Sequence, residues 1–191
     1  MNGKPKLDTP IDVTRARPWK GIVWHHSATP DGATKDWDAI KRYHTSYRID
    51  GQIVSQAEYD RRLAAHDGDS FQSPWKDIGY HGGTEWVDNQ VVFCWGRALS
   101  EIGAHAGVKG ASNLYNTDYL GLCAVGDFDK APPKSEHWEF NLRITRAFMD
   151  VFRIPVGHVI GHREVFDRLG VPRQKSCPGN TWDMALFRSE L

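Results

Sequence analysis

The sequence predicts an α/β sandwich built around one central β-sheet. Three observations carry this prediction. The first two are short apolar runs typical of strands, spread along the chain, and segments with helical spacing of apolar residues between them. The third is composition, since 191 residues with 40% hydrophobic and 25% charged side chains match one globular domain with a full-sized core. We find no internal repeat, low-complexity tract or interdomain linker in the sequence.

Five short apolar runs are strand candidates, and the first of them leads directly into a pair of histidines. These runs are residues 21–24, 78–81, 90–95, 120–125 and 156–160. The first run continues into His25 and His26, so both imidazoles are predicted at the end of a strand. The polar segments 68–74, with Gly, Asp and Pro, and 127–133, with Asp and Pro, are predicted as loops.

Five further segments are predicted as helices from apolar spacing and capping residues. They are residues 36–48, 53–66, 135–152, 161–169 and 182–191. Thr34 or Asp36 is expected to cap the first helix and Ser135 the third. Apolar side chains line one side of the third helix, which predicts that this side faces the core.

The N-terminus and the charge balance exclude several kinds of protein. Residues 1–19 contain Pro5, Pro10 and Pro18 and are predicted as an extended arm, which leaves 20–191 as the single folded domain. Lys plus Arg and Asp plus Glu number 24 each, so no bulk field draws the chain to nucleic acid. No apolar run is long enough to span a bilayer, and no apolar stretch typical of a secretory signal follows the polar N-terminus. We therefore expect no nucleic-acid partner, no membrane insertion, and synthesis in the cytoplasm.

The three widely spaced cysteines do not form a disulfide framework. Cys94 and Cys123 each occupy an apolar run and are predicted in the core. Cys177 instead lies in a polar, turn-like segment with Pro and Gly. A catalytic zinc site uses three protein ligands and keeps one position open. A histidine of the strand-end pair, His162 and Cys177 form one set of the required type.

The remaining histidines are predicted at structural or surface positions. His158 and His162 are four residues apart, which would place two ligands on one helical face. The segment around His158 is predicted as a strand, however, so we interpret His158 as structural. His66 and His137 lie in polar surroundings and are predicted at the surface. His44 lies beside the apolar stripe of its helix and is predicted to be half-buried.

Six short motifs lie in order between about residue 20 and residue 187. They are IVWHHSAT at 22–29, DIGYH at 77–81, IGAHA at 102–106, LGLCAVGDF at 120–128, GHREV at 161–165 and KSCPG at 175–179. Together they resemble the motifs of type-2 N-acetylmuramoyl-L-alanine amidases, a family that includes phage amidase endolysins and the peptidoglycan recognition proteins. The resemblance implies an α/β fold with a single mixed central β-sheet flanked by helices, and zinc at the floor of a groove.

The resemblance also implies a site and a reaction. It implies zinc ligands His25, His162 and Cys177, catalytic residues Tyr80 and Lys175, and substrate-binding residues His105 and Asn116. His26 would have a structural role or would support one of the zinc ligands. One Zn²⁺ would lower the pKa of its bound water to roughly 7, for attack on the amide between N-acetylmuramic acid and L-alanine of peptidoglycan. Whether Tyr80 orients the water, donates to the oxyanion or relays a proton stays open at this point.

Two features depart from parts of the family. Cys123 occupies a position where some relatives carry a glutamate base, which shifts proton handling to Tyr80, Lys175 and the zinc water. The stretch 50–76 is longer than in compact phage enzymes, and we expect an extra helix there beside the groove.

Three rival functions stay open from the sequence. The first is a module that binds peptidoglycan without cutting it, and the second is a cysteine hydrolase with Cys177 as nucleophile. The third is a glycosidase with paired carboxylates such as Glu101 or Glu164, although Glu164 is predicted as a structural ion-pair partner. We expect a monomeric phage or prophage endolysin that reaches the cell wall after release, with a wall-recycling amidase as the alternative role.

Overall fold

The computed structural model describes residues 13–29, 36–68 and 70–191, and a five-stranded sheet forms the centre of this part of the chain. Its helices and strands are β1 (Gly21–His26), α1 (Trp37–His44), β2 (Arg48–Ile49), β3 (Gln52–Ile53), α2 (Gln56–Ala65), β4 (Phe71–Gln72), β5 (Gly82–Val87), β6 (Gln90–Trp95), α3 (Leu114–Thr117), β7 (Tyr119–Ala124), α4 (Ser135–Phe152), β8 (Val159–Gly161), α5 (His162–Leu169) and α6 (Met184–Ser189).

The central sheet is mixed and has the strand order β6-β5-β7-β1-β8. The β5–β7, β7–β1 and β1–β8 pairs are parallel, and β6 pairs antiparallel with β5. Every residue of β1 and β7 is buried, as expected for parallel strands covered on both faces. The predicted α/β fold with a mixed central sheet flanked by helices is therefore confirmed.

Alternate residues of β1 face different helical layers. Trp24 belongs to the large core cluster with Phe148 of α4, and its Nε1 donates to Oγ1 of Thr145 at 3.0 Å. Val23 packs in a second cluster with Val165 of α5. Because side chains alternate along a strand, His25 shares the face of Val23 and points to the layer that contains α5.

A small second sheet lies in the segment that the sequence analysis identified as longer than usual. Its strand order is β3-β2-β4, and α2 lies between β3 and β4 in the chain. Ser55 caps α2 by accepting a hydrogen bond from the backbone N–H of Glu58 at 3.2 Å. Tyr59 packs against Tyr47 and Phe71 with ring centroids 4.9 and 5.6 Å apart. The predicted helix in 53–66 is thus confirmed with shorter bounds.

The strand predicted at 78–81 is wrong, because the regular strand begins only at Gly82. Its sequence, GGTEWV, begins with two glycines and two polar residues and does not match an apolar strand pattern. The glycines are required by close packing: a Cβ at Gly82 would lie 2.2 Å from Phe93, and one at Gly83 would lie 2.2 Å from Trp37. Glycine in a strand often marks such a close approach.

Two other predicted elements differ from the structure. The first helix ends at His44 rather than Arg48, since hydroxyl groups of the next two residues bond its last carbonyls and Arg48 pairs in β2. Asp36 caps this helix by accepting from the backbone N–H of Ala39 at 2.8 Å, whereas Thr34 lies outside the described residues. The run at 156–160 begins as a 3-10 turn, and only its end belongs to β8.

The placement of His137 at the surface is also wrong. Its side chain is 2% exposed and bonds the Thr84 hydroxyl at 2.9 Å. The polar residues around it in the sequence face solvent, whereas His137 faces the sheet because it lies on the inner side of α4. By contrast, His66 is exposed and His44 is half-buried, as predicted. His158, predicted as structural within a strand, is exposed at the end of the 3-10 turn, with its Nδ1 2.9 Å from the carbonyl oxygen of Lys20.

The last residues of the predicted N-terminal arm pack against the domain. Trp19 is 2% exposed, and its Nε1 donates to the carbonyl of Leu99 at 3.0 Å. Pro5 and Pro10 lie outside the described residues, so the boundary at residue 19 stays a prediction. None of the helices in the described part of the chain is long and apolar enough to cross a membrane.

Candidate metal centre and cleft

A cleft of about 690 Å³ opens beside the end of β1. All seven residues that the resemblance implies for the site line it: His25, Tyr80, His105, Asn116, His162, Lys175 and Cys177. Two of them, His25 and Cys177, are 152 positions apart in the chain and come within contact distance. The fold therefore assembles the predicted set in one place.

Three of these side chains form a cluster of metal-binding atoms. One donor atom each of His25, His162 and Cys177 lies within 4.8 Å of the other two. The Nδ1 atom of His25 lies 3.6 Å from Sγ of Cys177. Usual zinc–nitrogen and zinc–sulfur bonds at a tetrahedral angle separate their donor atoms by about 3.6 Å, so this pair fits a shared zinc ion.

His162, the first residue of α5, carries a buried ring nitrogen with no partner. Its Nε2 lacks a hydrogen bond within the described residues, and an unpaired buried polar atom costs about 1–3 kcal/mol. Burial, followed by the charge of Lys175, lowers the pKa of His162 to about 4. Burial, followed by the neighbouring histidines, lowers the pKa of His25 well below its usual range. Both imidazoles are neutral at pH 7, which is the form that binds metals.

Cys177 contributes its sulfur from a loop between α5 and α6. The backbone N–H of His26 donates to Sγ at 3.3 Å. Burial raises the pKa of the Cys177 thiol to about 12. Since a coordinating thiol is deprotonated by the metal, the sulfur suits a metal ligand, whereas a free nucleophilic cysteine requires a lowered pKa.

Arg163 ties the helix that carries His162 to the loop that carries Cys177. Its backbone N–H donates to the carbonyl of Cys177 at 2.7 Å. Its guanidinium donates to the carbonyls of Ser176, Gly179 and Trp182 at 3.2, 2.5 and 2.6 Å. The sequence analysis quoted Arg163 within a motif but gave it no role, because bonds to backbone carbonyls leave no signal in residue types.

Asp129 holds the same loop from the other side. Its carboxylate accepts hydrogen bonds from the Ser176 hydroxyl and the backbone N–H of Asn180, both at 2.8 Å. These two donors flank Cys177 in the chain. Asp129 was missed by the sequence analysis, since a lone aspartate in a turn-rich segment is typical of a solvated loop.

His26 belongs to a second group of possible metal donors, together with Asp127 and Asp129. Its Nδ1 accepts a hydrogen bond from the backbone N–H of Phe128 at 3.1 Å. Asp127 pairs with Lys130 at 2.8 Å. These groups are already engaged in structural contacts, in keeping with the structural role implied for His26.

Tyr80 and Lys175 both line the cleft that contains the donor cluster. The half-buried ring of Tyr80 is 5.0 Å from that of His25, centroid to centroid. Burial, followed by the neighbouring Cys123 and Cys177, raises the pKa of Tyr80 well above its usual range. Its hydroxyl therefore stays protonated at neutral pH and is available as a donor. Lys175 is exposed at the mouth of the cleft and places a positive charge near His162.

His105 and Asn116 line the cleft but have polar atoms engaged with the protein. His105 Nδ1 lies 3.0 Å from Nε2 of His25. Asn116 Oδ1 accepts from the backbone N–H groups of His105 and Ala106, both at 2.8 Å. Their contact with substrate stays a prediction.

The long segment contributes cleft residues that the sequence analysis did not single out. Gln72 and Trp75 line the cleft together with His44, and the rings of Trp75 and His44 lie 4.6 Å apart. The expected helix in this segment is α2, but none of its residues lines the cleft. The tryptophan at position 75, directly after the predicted loop 68–74, was the one sequence signal that could have identified this wall.

The two glutamates of the glycosidase alternative serve structural roles. Glu164 pairs with Arg188 at 2.9 Å and accepts from the backbone N–H of Gly161 at 2.8 Å. Glu101 pairs with Lys76 at 2.5 Å. Of the described residues that line the cleft, Asp129 alone is a carboxylate, so the geometry gives no support to a carboxylate pair.

Comparisons with solved structures give the class of fold. The N-acetylmuramoyl-L-alanine amidase LysC from Clostridium intestinale URNW is 18% identical, with TM-score 0.55, covering 95% of this chain and 97% of that one. The Ph2119 endolysin from Thermus scotoductus MAT2119 bacteriophage Ph2119 is 19% identical, with TM-score 0.51 and coverages of 100% and 91%. Drosophila PGRP-LB is 22% identical, with TM-score 0.53 and coverages of 90% and 82%. The fold is that of the amidases and peptidoglycan recognition proteins.

A family model described as N-acetylmuramoyl-L-alanine amidase matches residues 15–180. No curated protein sequence matches the chain. Since the family match spans most of the 191 residues, the protein belongs to the N-acetylmuramoyl-L-alanine amidase family.

Proposed function

We propose that the protein is a zinc-dependent amidase that hydrolyses the bond between N-acetylmuramic acid and L-alanine in peptidoglycan. The observation that carries this function is the cluster of His25, His162 and Cys177 at the cleft, with donor spacing that suits one zinc ion. When bound, Zn²⁺ supplies a water of lowered pKa and polarises the scissile carbonyl. In this proposal the protein acts as a monomer, with the three zinc ligands, Tyr80 and Lys175 all supplied by one chain.

The side chains around the cluster provide the remaining chemistry. In this proposal the Lys175 ammonium, which lines the cleft and acts electrostatically on His162, stabilises the negative charge that develops on the carbonyl oxygen, a contribution of the size of an oxyanion-hole donor. The Tyr80 hydroxyl, kept protonated by its surroundings, donates a hydrogen bond to the reacting groups and can pass its proton to the leaving amine. Cys123 is neutral, since burial raises its pKa, and its thiol is a hydrogen-bond partner of the Tyr80 side chain.

Catalysis is favoured over binding alone because the donor cluster is complete and Tyr80 and Lys175 lie beside it. A cysteine-hydrolase mechanism is disfavoured by the pKa of Cys177, which burial raises to about 12. Likeness to solved amidase endolysins supports a role in cell-wall lysis by a phage or prophage, acting on the wall after release. A wall-recycling amidase is the alternative biological role.

The test is the chemistry of the products formed from purified peptidoglycan. New alanine amino termini, and no new reducing ends, are expected from the untreated protein. Treatment with a chelator should abolish them, and added zinc should restore them. Amide cleavage that resists the chelator would move the nucleophile to Cys177. Wall binding without products would leave the binding module, and new reducing ends would indicate a glycosidase.

A further inference from the structure

We propose that His105 is a positioning residue for His25, fixing both the orientation of the His25 ring and the nitrogen on which that ring carries its proton. This role rests on the proposed zinc function, because it prepares His25 to bind the metal. The hydrogen bonds of the two rings permit a single assignment of donors and acceptors.

The assignment begins at the backbone carbonyl of Tyr119, which accepts hydrogen bonds and never donates them. His105 Nε2 lies 3.2 Å from this oxygen and therefore carries the proton. A neutral imidazole has one N–H, so Nδ1 of His105 accepts. The Nε2 of His25, 3.0 Å away, must then be the donor. The free lone pair of His25 is left on Nδ1, which is the atom 3.6 Å from Sγ of Cys177.

The ring of His105 is held in this orientation by the glycines next to it. A Cβ at Gly103 would lie 2.3 Å from Cδ2 of His105, and one at Gly121 would lie 2.4 Å from the same atom. Both distances are shorter than van der Waals contact allows. The two positions therefore need glycine because the His105 ring fills the space between them.

Asn116 holds the backbone of His105 in place. Its Oδ1 accepts from the N–H groups of His105 and Ala106, both at 2.8 Å, and its Nδ2 donates to Oδ1 of Asn113 at 2.7 Å. All three hydrogen bonds join the Asn116 side chain to other residues of the protein. Asn116 and His105 thus form one support that reaches His25 through a single ring-to-ring hydrogen bond.

His81 provides a matched comparison within the same part of the fold. It is fully buried, and its Nδ1 accepts from the backbone N–H of Gly121 at 3.0 Å. Its Nε2 donates to the carbonyl of Glu101 at 3.1 Å. His81 therefore makes the same kind of bonds as His105, and although its ring packs against that of His105 with centroids 6.0 Å apart, it makes no hydrogen bond to a residue of the donor cluster. A leucine at position 81 keeps an apolar side chain beside the His105 ring.

The first experiment compares zinc affinities measured by competition with a chromophoric chelator. His105→Asn places an amide oxygen near the position of Nδ1 and keeps the acceptor, whereas His105→Gln places its amide near Nε2 and loses it. We expect His105→Asn to stay close to the wild type and His105→Gln to bind zinc about 10–100-fold more weakly. His81→Leu should lower the melting temperature and leave the zinc affinity of the folded protein unchanged.

The outcomes separate this role from the zinc function itself. Wild-type protein that binds no zinc would sink the proposed function, whereas equal affinities for His105→Asn, His105→Gln and the wild type would overturn the role of His105. If His105→Gln fails to fold, imidazole NMR of the zinc-loaded wild type decides. Protons on Nε2 of both His25 and His105 are expected, and a proton on Nδ1 of His105 would overturn the inference.

Discussion

The two sides of the metal-donor cluster are built in different ways. On the strand side, His25 lies in β1, which is hydrogen-bonded to β7 on one edge and β8 on the other. On the loop side, Cys177 lies in residues 170–183, which form no helix or strand. The backbone ladder holds the first side, whereas the side chains of Arg163 and Asp129 hold the second.

This difference indicates where the site is rigid and where it depends on single residues. Moving His25 requires disruption of a buried parallel sheet, which is the most stable part of such a fold. Moving Cys177 requires the loss of a few hydrogen bonds, made by the side chains of Arg163 and Asp129 and by the backbone N–H of Arg163. Since a displacement of about 1 Å can cost about 100-fold in rate, we expect substitutions around the loop to reduce activity before they unfold the protein.

The largest effect is expected from removal of the Cys177 sulfur, on the loop side of the donor cluster. Cys177→Ala removes one donor of the cluster and should lower the rate of amide cleavage by about 1,000-fold or more, since metal assistance contributes several kcal/mol. Zinc content, measured by atomic absorption, should fall in parallel. Cys94→Ala is the control, because Cys94 is equally buried but does not line the cleft. Activity retained by Cys177→Ala would remove the loop side from the metal site.

A smaller effect is expected from Lys175, whose exposed side chain contributes charge rather than packing. Lys175→Ala should reduce kcat by about 100–1,000-fold, the usual loss for one donor to an oxyanion. Melting temperature and zinc content should stay at wild-type values. Lys130→Ala, which removes an exposed lysine that pairs with Asp127, should leave kcat unchanged. Equal kcat for the two variants would exclude Lys175 from the reaction.

Arg163 tests the contrast between the two sides directly. Arg163→Ala frees the carbonyls that it holds in the Cys177 loop and should reduce kcat by about 10–100-fold through displacement of the ligand. Loss of charged hydrogen bonds should also lower the free energy of unfolding by about 2–3 kcal/mol. Arg168→Ala is the matched control, since its guanidinium donates to one exposed carbonyl. If Arg163→Ala loses stability and keeps kcat, the loop side is as rigid as the strand side.

The smallest effect concerns the pH dependence of stability at His137, which lies in α4 and bonds Thr84 of the central sheet. Burial lowers the pKa of His137 from 6.5 to about 4, so between these values the unfolded chain binds a proton that the folded chain does not. Stability therefore falls as the pH decreases through this window, by at most about 1.4 kcal/mol per pH unit. His137→Gln keeps a donor for Thr84 and should flatten the slope in urea unfolding. Identical slopes for the two proteins would show that His137 does not titrate on unfolding.

Sequence patterns predicted the strands whose burial is visible in their own apolar residues. The runs at 21–24 and 120–125 are apolar because β1 and β7 are covered on both faces. Strand β5 was missed because its burial depends on partners from elsewhere: Glu85 accepts from the backbone N–H of Trp37 at 2.7 Å, and Gly83 makes room for the Trp37 ring.

The candidate site shows the same contrast: its motif residues could be predicted from the sequence, whereas contacts between distant segments could not. Motif resemblance predicted residues that the fold does bring together, such as His25 and Cys177. The supports around them could not be predicted, because Arg163 bonds backbone carbonyls and His105 meets His25 across 80 residues of chain. Such contacts depend on the approach of separate segments rather than on the residue types within one of them.

The most direct test of the account is a zinc titration of metal-depleted protein, with binding and peptidoglycan amide cleavage measured on the same samples. We predict that one zinc ion binds per chain and that activity rises in proportion to occupancy. The Cys177→Ala variant should show neither change. Full activity in the metal-depleted protein, or zinc binding that leaves amide cleavage absent, would contradict the assignment of His25, His162 and Cys177 as a catalytic zinc site.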